Sequence, residues 1–388
     1  MKITAVKAVS LGYMKDFPRI PRSFALLRLE TDGGVVGYGE TSSSYGHSYP
    51  NVVREIVEGI LAKALIGRDP TDIAGLVKGM RRYVWPYLGW EGVGNSAIGA
   101  AEIALYDILG KVEGRPLYQL LGATRDRIPL YGTGTTFFEQ PPEWHAAFFD
   151  GALEHGFTAV KARVGRDRDW DLDLVRTVRH HIGPDVKLMV DAYMTYGRDT
   201  ALAMAEEFEQ YDIHFLEEPV SQYRLDVLQE LRADCRIPIA VGERVFSPFG
   251  FERIIAHQAA DILQPDVTIV GGVESFAVVC ELARESGVRV CPHIGGLTAV
   301  GIAAGLHTAL AHGNCEMLEF DLGPYQPLRD DMIAQRVFAL TAIEDGELKA
   351  PDGPGLGIEV NEEKFATYAY QPGAVYPDVY PHYGAGEL

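Results

Sequence analysis

The sequence predicts an α/β protein: a TIM-like β/α barrel preceded by an α+β capping module. Three observations predict it. Eight short apolar runs alternate with helical stretches from Ile128 onward, a rhythm that suits a barrel better than an open doubly wound sheet. Three acids end successive runs at equal spacing, Asp191, Glu217 and Glu243, with 217 − 191 = 26 and 243 − 217 = 26. The segment before Gly110 reads instead as a strand hairpin followed by helices.

The elements follow in chain order. Phe24 to Glu30 and Val35 to Glu40 alternate like strands around Thr31-Asp-Gly-Gly, a strong hairpin signal. From Asn51 the period turns helical, as in Val52-Val53-Ile56-Val57-Ile60-Leu61 and in Ala97-Ala101-Ala104-Leu105-Ile108. Barrel strands are expected at Ile128–Thr135, Ala159–Val164, Lys187–Asp191, Ile213–Leu216, Ile239–Val241, Ile262–Leu263, Val288–Cys291 and Met317–Phe320. Amphipathic helices are expected between them, at Leu172–Ile182, Ala201–Phe208, Leu225–Leu231 and Val273–Ser286 among others. The expected divisions are a capping domain with lid loops over 1–125, the barrel over 126–350, and a loop-rich tail over 351–388 that packs back on the cap.

Composition narrows the function. The 388 residues carry a net charge of −19, which disfavours nucleic acid and anionic membrane surfaces, since both need a basic face. A small anionic substrate remains compatible, because a bound dication and local Lys or Arg reverse the field inside a pocket. The four cysteines, Cys235, Cys280, Cys291 and Cys315, form no CxxC pair and read as small buried residues in a reducing, cytoplasmic setting. No secretory leader, membrane span or nucleotide-binding glycine loop is expected.

The three spaced acids carry the chemistry. Strand ends of a parallel barrel share one rim, and that rim is where such barrels work. Three converging carboxylates repel one another unless a cation sits between them, and an all-oxygen set suits Mg²⁺. On the second strand, Lys161 and Arg163 lie two apart and so face the same way. Lys161 suits a base or a charge clamp, whereas Arg163 stays charged and suits a clamp for a carboxylate or an oxyanion. Asp266 follows Gln264-Pro and His293 follows Cys291-Pro at the next two strand ends. Alone, each is an ordinary turn or strand-end residue. As neighbours they form a base with its orienting carboxylate. Glu319, at the end of the eighth strand, completes the ring. No lysine occurs between Lys187 and Lys349, so a proton taken from that side falls to His293.

Taken together, these residues resemble the enolase superfamily and, within it, the mandelate racemase group. The likeness spans the capping module, the barrel and the Pro351-Asp-Gly-Pro-Gly-Leu-Gly-Ile-Glu-Val tail. It implies a modified (β/α)7β barrel with one Mg²⁺ per chain held by Asp191, Glu217 and Glu243. It also implies a His293–Asp266 dyad, Glu319 as a hydrogen-bond partner of the substrate carboxylate, and Lys161 as the first lysine of a strand-two KxK motif. Arg163 departs from that motif, where the group often has a second lysine as the base for the opposite face.

The resemblance further implies abstraction of the proton alpha to a carboxylate, through an enediolate, on acid sugars such as aldonates or aldarates. A racemase needs proton transfer on both faces, and arginine is a poor partner for that. Dehydration to a 2-keto-3-deoxy acid is therefore the expected reaction. Cycloisomerisation of a sugar-acid lactone comes next, and racemisation or epimerisation third. Lid loops near Lys15–Ser23 and Ser42–Tyr49 offer Arg19, Arg22, Tyr45 and His47 as substrate contacts or as solvated loop residues. Tyr193, two residues past Asp191, is expected in the same cavity. A symmetric homo-oligomer is expected from the family. The rival classes are a histidine-ligated or Schiff-base barrel, which an all-acid set argues against, and a non-catalytic binder of the same fold.

Overall fold

The structure is a computed structural model that describes residues 1–15, 20–42, 48–135, 140–323 and 325–371. The cap opens with an antiparallel sheet of β1 (Ile3–Lys15), β2 (Ile20–Thr31) and β3 (Val36–Thr41). The turn before β3 closes where the Thr31 hydroxyl donates to the Val35 carbonyl at 2.9 Å and Gly34 takes a positive φ. Two long helices, Ile73–Leu88 and Val93–Glu113, pack behind the sheet. Gly37 and Gly39 permit that approach: a Cβ at either would sit 2.2 or 1.9 Å from a carbonyl of the second helix.

The barrel strands are β4 (Arg127–Thr135), β5 (Ala159–Arg163), β6 (Lys187–Asp191), β7 (Ile213–Glu217), β8 (Ile239–Val241), β9 (Ile262–Leu263), β10 (Arg289–Val290) and β11 (Leu318–Asp321). They pair in parallel in the order β10–β9–β8–β7–β6–β5–β4–β11. A parallel bridge from Val290 to Cys315, just before β11, closes the ring. A last strand, β12 (Glu347–Lys349), adds antiparallel to β4. Below the rim the interior is plugged by Tyr131, Ala159, Met189, Phe215, Ala240, Ile262, Cys291 and Met317, one from each strand or its flank.

All eight expected barrel strands are present, with ends shifted by a residue or so. The seventh is Arg289–Val290 rather than Val288–Cys291, and the eighth runs to Asp321. Helix starts differ more. The helix expected from Leu172 begins at Arg168, because Asp167 caps it by accepting from the Trp170 amide at 3.0 Å. That first turn, Arg168-Asp169-Trp170-Asp171, has a single apolar residue and so carries no apolar period.

The cap meets the barrel through buried polar groups. Glu40, at the end of β3, accepts from the Thr298 amide (3.1 Å), the Thr298 hydroxyl (2.5 Å) and the Gly301 amide (2.8 Å), at the N-terminus of helix Ala299–Leu310. Glu102 accepts from the Glu274 amide (3.1 Å) at the start of helix Val273–Ser286. Both sites match a carboxylate to unpaired helix amides. The described tail returns to the cap. Asp107 accepts from the Leu356 amide (2.9 Å), Glu362 pairs with Arg28 (2.9 Å), and Ala369 bridges to Leu11. Cys280, Cys291 and Cys315 are buried, Cys235 is half-buried, and all four are free. No described helix is long and apolar enough to cross a membrane.

Candidate metal centre and active site

Register brings the acids together. Arg163 pairs with Asp191, Asp191 with Glu217, and Glu217 with Ala240, across β5, β6, β7 and β8. Glu243 follows two residues after β8. Asp191, Glu217 and Glu243 are all buried, and each offers an oxygen within 4.8 Å of the other two. Among the described residues this is the one group of three or more acids, histidines or cysteines so arranged.

Each acid is held by a neighbour. Asp191 Oδ1 accepts from the Tyr193 amide (2.8 Å), while Oδ2 lies 2.5 Å from Arg163 Nη1. Glu217 accepts from Lys161 Nζ through both oxygens (2.9 and 2.8 Å), and from Gln264 Nε2 (2.6 Å). Glu243 Oε1 lies 2.6 Å from Arg244 Nη1, and Oε2 lies 3.5 Å from His293 Nε2. Arg244 also pairs with Glu218, and its guanidinium sits 3.9 Å over the Tyr193 ring. The Arg163 guanidinium lies 4.9 Å from the same ring.

The dyad is formed. His293 Nδ1 lies 2.8 Å from Asp266 Oδ2, and the other oxygen of Asp266 accepts from the Thr268 amide and hydroxyl, both at 2.7 Å. An acceptor at Nδ1 places the ring proton there and leaves Nε2 as the basic nitrogen. Glu319 closes the circle: Oε1 is 2.9 Å from Lys161 Nζ, and Oε2 accepts from the Gly295 amide (2.8 Å) and lies 3.4 Å from His293 Nε2.

The electrostatics suit a cation. Burial, then the charges of Glu217 and Asp191, push Glu243 up to about 8, against the pull of His293. Burial and Asp191 likewise raise Glu217. Burial opposes the charge on Lys161, but Glu217 and Glu319 outweigh it and hold the ammonium well above its ordinary value. Lys161 is thus a fixed cation rather than a free base. Burial also opposes the charge on His293, yet Glu319, Glu243 and Asp266 lift it to about 10. The first two of these acids lie beside Nε2, and a dication among the acids would weaken their pull. The donor set is hard, anionic, buried and crowded, which fits Mg²⁺.

Of the residues expected from sequence, the structure brings Lys161, Arg163, Asp191, Tyr193, Glu217, Glu243, Asp266, His293 and Glu319 to one rim. Arg22 lies buried on β2, paired across the hairpin with Tyr13. Arg19, Tyr45 and His47 fall outside the described residues. Gln264, Glu218 and Arg244 were not anticipated. A signal for two of them exists, since 244 − 218 = 26 repeats the spacing of the three acids one residue on.

A parallel barrel with a His–Asp pair and three acids that could hold a metal at its carboxyl rim, under an α+β cap, has the make-up of an acid–base enzyme. The family models agree. Residues 145–364 match the enolase C-terminal domain-like model, and residues 18–122 match the mandelate racemase / muconate lactonizing enzyme N-terminal domain. The chain belongs to the mandelate racemase group of the enolase superfamily and is an enzyme of that kind. It is 30% identical over 362 residues to the arabinonate dehydratase of Saccharolobus solfataricus, covering 92% of this chain and 93% of that one. It is 32% identical over 397 residues to the D-galactarolactone cycloisomerase of Agrobacterium fabrum, covering 95% and 99%. The crystal structure of L-talarate dehydratase from Polaromonas sp. JS666, complexed with Mg and L-glucarate, superposes with a TM-score of 0.83 at 29% identity, covering 95% and 98%.

Proposed function

We propose that the chain dehydrates a sugar acid, an aldonate or aldarate, to the 2-keto-3-deoxy acid. The observation that carries this reading is the single well-formed base. His293 Nε2 faces the acid cluster with Nδ1 fixed by Asp266, while the cation on the other side, Arg163, is tied to Asp191 and cannot serve as a base.

Asp191, Glu217 and Glu243 would hold one Mg²⁺, which when bound supplies positive charge that acidifies the proton alpha to a substrate carboxylate. Lys161 adds a second fixed cation for that carboxylate; against burial, Lys161 and His293 hold Glu319 down to about 2, so Glu319 stays ionised and acts beside the substrate as an acceptor that steadies Lys161. His293 Nε2 takes the alpha proton as the C–H bond breaks, and the electron pair becomes the carbon–carbon double bond of the enediolate. Asp266 stabilises the imidazolium through Nδ1–H. The imidazolium then returns its proton to the β-hydroxyl as the Cβ–O bond breaks, releasing water and an enol that becomes the keto acid. Arg22 and His47 of the cap, and Tyr193 at the rim, are proposed as substrate contacts.

A second reading, lactone cycloisomerisation, also needs only one face of base and is favoured by the likeness to the D-galactarolactone cycloisomerase. Incubation of the Mg²⁺-loaded protein with a library of acid sugars separates the two. Dehydration is expected to yield 2-keto-3-deoxy acids. Lactone opening or closing without keto product would replace it with cycloisomerisation, and solvent deuterium at the alpha carbon without net product would indicate epimerisation.

A further inference from the structure

The acids of the cluster differ in what holds them. Asp191 is fixed by a backbone amide and Glu217 by Lys161 and Gln264. Glu243 Oε1 meets the side chain of the next residue, Arg244, at 2.6 Å. Arg244 is almost fully buried and is itself gripped on two sides. Glu218, wholly buried at the end of the neighbouring strand, pairs with the same Nη1. The guanidinium sits over the Tyr193 ring, 3.9 Å from its centroid.

The backbone around this arrangement is constrained. Tyr193, Met194 and Glu218 have φ of 50°, 63° and 38°, in the left-handed region that costs non-glycine residues energy. The Met194 amide donates to the Glu218 carbonyl at 2.7 Å, so the two turns that carry Tyr193 and Glu218 are tied together. A buried ion pair is weak evidence for stability but a good device for fixing geometry, and residues behind metal ligands commonly set ligand orientation.

We propose that Glu218 and Arg244 form a positioning pair for the third metal acid. Glu218 and the Tyr193 ring fix the guanidinium, and the guanidinium fixes Glu243 Oε1. Oε2 is thereby turned to the cluster and to His293. The proposal rests on Asp191, Glu217 and Glu243 being the metal-holding acids. Neither residue of the pair is asked to touch substrate or metal; both act through Glu243.

The test titrates the full-length protein with Mn²⁺ and reads binding by electron paramagnetic resonance, with thermal melting to verify folding. Arg244→Met should raise the Mn²⁺ dissociation constant by about 10- to 100-fold, the range typical of such outer partners. Arg244→Lys should recover part of that loss, since one ammonium can reach Glu243 but cannot hold two carboxylates in a plane. Glu218→Gln should weaken binding in the same direction. The Glu218→Gln/Arg244→Met double variant should bind like Arg244→Met alone, because Glu218 acts only through Arg244. Parent-like or tighter binding by folded Arg244→Met overturns the proposal, as does a double variant whose loss is the product of the single losses. A parent that binds no Mn²⁺, or whose Glu217→Gln variant binds equally well, instead removes the metal centre itself.

Discussion

Two regions of this molecule bury carboxylates and treat them in opposite ways. At the cap–barrel seam, Glu40 and Glu102 each face the start of a helix and accept its amides. They lie apart from one another and serve docking. At the rim, Asp191, Glu217 and Glu243 crowd within 4.8 Å and are held by arginines, a lysine, the Tyr193 amide and Gln264. Both groups are desolvated, and burial raises Glu40 to about 7, Glu102 to about 8 and Glu243 to about 8. At the seam each acid meets its own helix amides, not the other seam acid. At the rim three acids share one volume, an arrangement that folding alone does not need. The difference teaches that a raised acid is not by itself a functional acid; convergence on a shared point is the distinguishing sign.

The largest expected effect comes from breaking that convergence. Glu217→Gln keeps the shape and removes one charge. Mn²⁺ affinity should fall by more than the roughly 100-fold that an outer partner costs, and turnover should fall with it. The folded protein should survive, since one of three mutually repelling charges is gone and Lys161 keeps Glu319 at 2.9 Å and Asp191 at 3.6 Å. Mn²⁺ titration with a melting curve checks both. A Glu217→Gln protein that still binds the ion tightly would place the rim acids in the same structural class as the seam acids.

Next in size is the dyad. His293→Asn should lower kcat by about 10²- to 10⁴-fold, the span of general acid–base catalysis, with Mn²⁺ binding largely kept. Asp266→Asn should come close to it, for a stereochemical reason. Thr268 donates twice to Oδ1, so the amide oxygen of asparagine takes that position and its NH₂ faces His293 Nδ1. Nδ1 must then accept, the ring proton moves to Nε2, and the base is blocked. Single-turnover rates for both variants, each with Mn²⁺ affinity measured alongside, sort base loss from metal loss. Loss of Mn²⁺ binding in His293→Asn would collapse the division of roles.

Much of the rim was legible in the sequence because a barrel converts sequence period into position. Equal spacing of Asp191, Glu217 and Glu243 follows from one strand–helix repeat, and the two-residue step from Lys161 to Arg163 follows from strand alternation. Even strands as short as Ile262–Leu263 showed as apolar runs. The seam was not legible. Glu40 meets Thr298 and Glu102 meets Glu274 across 258 and 172 residues, and their partners are backbone amides, which every residue has. Glu218 and Arg244 are hidden differently: each directly follows one of the three spaced acids, whose stronger pattern covers theirs. Helix starts such as Arg168 were missed because caps replace apolar period with polar side chains.

The smallest expected effect lies at the seam and sharpens the contrast through pH. A folded pKa of about 8 for Glu102 lies above the ordinary glutamate value of about 4.3, so the folded state binds this proton more tightly than the unfolded chain. The stabilisation linked to that proton is complete below about 4.3 and is lost as pH rises through about 8. Glu102→Gln resembles the protonated acid at every pH. Its melting temperature should match the parent's near pH 5 and exceed it near pH 9, by on the order of 2 °C for each kcal/mol of relieved strain in a chain this long. Turnover should be unchanged near pH 5 to 7. Glu243→Gln should show a similar pH trend in melting with turnover destroyed, because its raised value has the additional sources Glu217 and Asp191. If melting of Glu102→Gln instead fell below the parent at high pH, the helix amides at Val273 and Glu274 would be holding a charged carboxylate. The seam acids would then be charge-bearing caps, and the two regions would differ only in the number of acids that meet.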